Sequence, residues 1–273
     1  MGIEYEKYQF LNETRTGSMQ RIGILLKKEA LQVFKSKWVI ALIVITYFFN
    51  FVTRLLSIVF QSDKFEPEFF MSFFQDGQLW FLLSAAIVGS GLIASDLKTN
   101  AVILYFIRIS KISYITGKFG IFAIVLSVVT LLPSVILFFV ALIASPESLS
   151  EFADNFWILG AITASSLVII ALLGVVSLAI SSMNSDKRYA GAGIFIIFLF
   201  SEILSEALEA ILENERLAMV SIWNNINFVS HQLFDVKQSY GYAWYEPLLV
   251  LMSIVLFSVG IIYWRVLKKE VTV

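Results

Sequence analysis

Six separated apolar runs, each near the length needed to cross a bilayer, constrain this chain more than any other feature in it. They fall at about 38–60, 79–94, 119–144, 157–183, 190–206 and 246–264. The hydrocarbon layer of a membrane is roughly 30 Å thick, and about 20 residues of α-helix cross it. A helix also satisfies its own backbone polar groups, as any segment surrounded by lipid must. Charged residues make up only 15% of the 273, too few to cover the soluble core that a 58% apolar chain would build. The sequence therefore predicts an all-α integral membrane protein with six transmembrane helices.

The segments between the runs give the remaining organisation. Residues 1–18 mix charges with little periodicity and read as a cytoplasmic tail, with no removable signal peptide expected. Across 19–37, Ile22, Leu25, Leu26, Ala30, Val33 and Phe34 follow helical spacing, with Arg21, Lys27, Lys28, Gln32 and Lys35 on the other side. This is the pattern of an amphipathic helix lying in the membrane interface ahead of the first span. The six-span domain then occupies 38–264, and 265–273 form a second tail. The third run contains Pro133, which predicts a kink. Between runs five and six, residues 207–245 are half apolar and half polar, and suit short helices at the outer surface.

Charge distribution supplies the orientation. Sixteen of the 20 Lys and Arg lie before the first run, between runs two and three, between runs four and five, or after the sixth. The opposite side holds Lys64, Arg216 and Lys237, with Arg54 inside the first run. Cytoplasmic loops carry the excess of basic residues, so both termini are expected inside the cell and the chain in the plasma membrane.

No catalytic constellation is legible. There is no phosphate-binding GxxxxGK[ST]: Gly117-Lys118 lacks the earlier glycine and is followed by Phe119. The single histidine, His231, has no metal-ligand partners at a useful spacing, and the chain has no cysteine, so no metal site is expected. Charges at membrane depth are costly and often functional. Arg54 and Glu206 each lie 16 residues into their runs, with Glu202 one turn below, so Arg54 is expected to pair with Glu206 or Glu202 as a clamp or outer gate. The other possibility is that all three reach the outer headgroups independently. Asn50, deep in the first run, would bond between helices or line a path. No residue identifies a substrate site.

The stretch from Gly89 to Phe119 is the richest polar surface between two runs. Its G-x-x-L-I-A-x-D (Gly89, Leu92, Ile93, Ala94, Asp96) precedes L-Y-x-x-R-x-S-K-x-x-Y-x-x-G-K-F (Leu104, Tyr105, Arg108, Ser110, Lys111, Tyr114, Gly117, Lys118, Phe119). With Lys27-Lys28-Glu29 and Lys35-Ser36-Lys37-Trp38 ahead of the first run, this resembles the ABC-2 type permeases, the six-span subunits of type V ABC exporters. Ile109 stands where that family often has proline. The resemblance implies a permease, not an enzyme, with no cofactor of its own. Two copies of a separate ATP-binding subunit would supply ATP and Mg, and a second permease copy or a paralogue would complete the pair. It further implies short re-entrant helices between spans five and six. Residues 96–118 would form the coupling loop, with Asp96, Arg108, Lys111, Lys118 and Glu29 docking the ATPase. The basic residues could equally hold the loop at an anionic leaflet. A membrane scaffold that transports nothing is the alternative function.

Overall fold

The computed structural model describes residues 23, 26–27, 29–31, 33–60, 66–144, 148–237 and 241–267, with the side chains of 59, 108, 148–153 and 267 left aside. The expected tail at 1–18 and the residues beyond 267 lie outside this set, as does part of 19–37. Among the described residues every regular element is helical, and five helices are long and apolar enough to cross a membrane: Lys37–Ile58, Gln78–Lys98, Lys111–Ala144, Asp154–Met183 and Tyr245–Val266.

The first of these is built from α1 (Lys37–Thr46), a π-helical turn (Tyr47–Val52) and α2 (Thr53–Phe60). The π turn turns Asn50 inward, where it is buried and its amide donates to the carbonyl of Phe73 at 3.4 Å. Between the first two spans α3 (Pro67–Asp76) forms, with proline in its first turn. Gly77 joins it to α4 (Gln78–Gly89). A Cβ at Gly77 would stand 2.5 Å from the Asn50 amide nitrogen, so the close approach of these helices needs glycine.

The second span does not run straight. Residues 90–93 interrupt it before the five-residue α5 (Ala94–Lys98). Asn100, at φ 55°, then turns the chain into α6 (Ala101–Arg108), a left-handed position that asparagine tolerates better than most residues. The third span starts earlier than its apolar run. Ser110 caps α7 (Lys111–Val129) by accepting a bond from the Ser113 N–H at 3.1 Å, which draws Lys111 and Lys118 into the helix. The chain breaks at Thr130 and continues as α8 (Leu131–Ala144), with Pro133 in the first turn, where its missing donor costs little. The Thr130 and Ser134 hydroxyls bond the carbonyls of Leu126 and Thr130, each at 2.8 Å.

At the centre stands α9 (Ser148–Met183), which packs against α4, α7, α8, α10 (Lys187–Leu212), α11 (Ile222–Leu233) and α12 (Tyr245–Ile262). Small residues make this possible: a Cβ at Gly89 would stand 2.5 Å from that of Ser177. The three middle spans are more than half buried, whereas the first and last expose most of their residues. α10 contains the fifth apolar run and has 26 residues, yet carries Glu202, Glu206 and Glu209 in its last turns and is not one of the five candidate spans. After it, a 3-10 turn (Glu215–Val220) and α11 occupy the segment before α12. They are packed elements, with Trp223, Ile226 and Phe228 buried.

Candidate functional site

Lys118 lies two turns into α7, on the same face as Tyr114, and is 1% exposed. An ammonium there must find partners, since an isolated charge in such surroundings is prohibitively costly. Its Nζ lies 2.8 Å from the Glu29 carboxylate and 2.8 Å from that of Asp96. The rings of Tyr114 and Tyr105 flank it, with centroids 5.5 Å and 5.8 Å away. The Tyr114 hydroxyl donates to Asp96 at 2.7 Å, and the Tyr105 hydroxyl to Glu29 at 3.4 Å. Burial, reinforced by the charges of Glu29 and Asp96, pushes the Tyr105 phenol up to about 12, so it remains a donor throughout the physiological range.

The cluster joins four segments. Glu29 comes from the N-terminal helical segment, whose Leu26 side chain also packs over Gly120. Asp96 comes from α5, Tyr105 from α6, and Tyr114 with Lys118 from α7. Two carboxylates face one ammonium, so the group carries one net negative charge, softened by the two phenolic donors.

Lys118, expected on the surface of the loop, is instead enclosed within the chain, 1% exposed and engaged with Glu29 and Asp96. Glu29 and Asp96, each 14% exposed at the side chain, are likewise engaged with it. Lys111 extends over the Phe106 ring, 5.6 Å from its centroid. Arg108 ends α6, and its side chain lies outside the described residues. Beside exposed polar residues (Ser95, Lys98, Thr99, Asn100 and Ser110), the loop exposes four large aliphatic side chains: Ile103, Leu104 and Ile107 on α6, and Ile112 at the start of α7. Charge-based reasoning passed over these, although an uninterrupted apolar run over 101–107 in a polar loop is itself a signal.

A second tie lies beside the first. Lys98 pairs with Asp186 at 3.1 Å, joining the loop to the turn before α10. Asp186 also caps that helix by accepting from the Arg188 N–H at 2.9 Å. That backbone bond, with Lys98, holds its carboxyl below the usual value.

The surroundings of Arg54 are arranged otherwise than the sequence suggested. Arg54 pairs with Asp76 at the end of α3, and bonds the Ser72 hydroxyl and the Phe69 carbonyl, not Glu202 or Glu206. The reason is that α3 folds back beside the first span and offers a nearer carboxylate. Among the described residues no ion pair involves Glu202 or Glu206. Uncharged polar pairs continue this seam: Gln78 with Asn227 at 2.8 Å, and Gln75 with His231 at 3.2 Å. Burial pushes the His231 imidazole below its usual value. No group of three or more metal-ligating side chains occurs among the described residues.

No protein-family model matches the chain, and no curated protein matches it.

Proposed function

We propose that this chain is the permease subunit of an ABC exporter, driven by ATP hydrolysed in a separate subunit that docks on the cytoplasmic loop. The observation that carries the reading is the division of labour in residues 94–118. Asp96 and Lys118 are drawn inward with Glu29 to fix the loop to the N-terminal segment and the third span, while α6 turns an aliphatic face outward. A loop meant only for water or headgroups gains nothing from such rigidity, whereas a loop that transmits force does. The docking contact is then Ile103, Leu104, Ile107 and Ile112, beside the exposed Lys98, with Glu29, Asp96 and Lys118 as internal struts. The basic excess on this side supports a cytoplasmic location in the plasma membrane, with both termini inside. α10 serves as the sixth span, at about 39 Å long for its 26 residues, and the 3-10 turn with α11 forms the outer re-entrant element. A second permease subunit completes the pathway.

The test is purification of the tagged full chain in mild detergent from its native membrane. A stoichiometric ATP-binding subunit should accompany it, and Leu104→Glu with Ile107→Glu should release that subunit while the permease stays folded. Recovery of the intact chain without any ATP-binding protein would leave the scaffold function in place of transport.

A further inference from the structure

The interruption at residues 90–93 has an unusual hydrogen-bond arrangement. Leu92 N–H turns back to the Gly89 carbonyl at 3.2 Å. The next two amides, of Ile93 and Ala94, bond no backbone carbonyl. Both donate to a single atom on another helix, the Ser181 hydroxyl of α9, at 3.0 Å each. That hydroxyl gives its own proton to the Ser90 carbonyl at 3.1 Å. A hydroxyl has one donor and two acceptor positions, so Ser181 is fully used. Ile93, Ala94 and Ser181 are completely buried, where water cannot substitute and an unpaired amide is strongly unfavourable.

The same two amides have another way to be satisfied. Ordinary helical bonds, from Ile93 to Gly89 and from Ala94 to Ser90, would join α4 and α5 into one straight helix. Each arrangement pairs both amides, one through Ser181 and one without it. Gly91, with open space around the position of a Cβ, weakens the straight form because glycine disfavours helix.

We infer that residues 90–93 are a two-state hinge in the second span, held bent by Ser181. Straightening it redirects α5 and therefore Asp96, and moves the exposed face of α6 relative to the central helix. Ser181 is thus a positioning residue, acting on the loop through the backbone of Ile93 and Ala94. This device does not depend on the permease reading, since it needs only the chain itself.

The chain has no cysteine, so a pair of spin labels can be placed without background. Met183 on α9 and Ile107 on α6 are both exposed and report the angle of the hinge. Distances would be measured by pulsed electron resonance on the full chain in lipid nanodiscs, with no ATP-binding protein present. Ser181→Ala should produce a second distance population, and Ser181→Thr, which keeps the hydroxyl, should restore the original distribution. Gly91→Ala leaves every bond of Ser181 in place and should raise the same second population about 2- to 5-fold, the usual preference of a helix for alanine over glycine. It decides the matter if Ser181→Ala fails to fold. A distribution unchanged by Gly91→Ala, and by Ser181→Ala where it folds, overturns the hinge. A failed pull-down beside a shifted distribution would sink the permease and leave the hinge standing.

Discussion

Two sites in this molecule each hold a cation between helices, and they hold it in opposite ways. Lys118 is sealed among two carboxylates and two phenols, all supplied from within the chain. Arg54 reaches Asp76, whose side chain is 68% exposed. Coulomb attraction is similar in kind, but water screens the Arg54 pair and not the Lys118 cluster. Exposed pairs are typically worth about 0–1 kcal/mol, whereas removing one partner of a buried pair costs about 3–5 kcal/mol because the other charge is stranded. The Lys118 cluster therefore fixes the relative position of four segments, and the Arg54 pair only trims the approach of two.

That contrast can be broken most directly at Lys118. Lys118→Met leaves two buried carboxylates facing each other, and should destabilise the protein by about 3–5 kcal/mol in reversible unfolding in detergent. Glu29→Gln or Asp96→Asn should cost only about 1 kcal/mol, since one carboxylate still neutralises the lysine. A loss for Lys118→Met no larger than theirs would mean that the cluster is not a closed unit.

Next in size is the aliphatic face of α6. Leu104→Glu with Ile107→Glu should lower recovery of an ATP-binding subunit at least about tenfold, equivalent to about 1.4 kcal/mol, without shifting the unfolding midpoint. A fall in both would mark these residues as part of the core instead.

The Arg54 pair should respond least among the charges. Arg54→Gln is expected to cost about 1 kcal/mol or less, and to combine additively with Glu202→Gln and Glu206→Gln within about 0.5 kcal/mol. Coupling beyond that would restore the clamp between the first span and α10. The smallest effect is on pH. His231 has a value lowered in the folded state, so its contribution is fully present above its ordinary value of 6.5 and is lost as pH falls below it. A slight fall in melting temperature on acidification below that point should vanish in His231→Gln.

The five long helices were legible because lipid demands length and apolarity together, and little else in a sequence supplies both. The start of the third was not. Lys111 and Lys118 looked like loop residues because charge is a poor guest in a span, yet the Ser110 cap begins the helix there and the cluster accommodates the lysine. Tyr114 and Lys118, four residues apart, would have revealed the shared face had that stretch been read as helical. Arg54 failed for a different reason. Counting residues from a helix start gives height in the membrane but not the direction in which a side chain points, and two groups at one height can face opposite ways. The partner, Asp76, ends a short helix that lies between two apolar runs and has no transmembrane signal of its own. Ser181 was invisible, because a cap supplied from another helix leaves no local spacing to find.

The π-helical turn at Tyr47–Val52 has its own consequence. Such a turn holds one residue more than the α-helical turn it replaces. Winding the same residues as regular α-helix, with none deleted, would rotate everything beyond the turn by about 100°, one residue's share of a turn. Val39 and Leu42, before the bulge, would keep their packing, while Arg54 would swing away from Asp76. The bulge thus absorbs one surplus residue and keeps Arg54 in phase with Asp76.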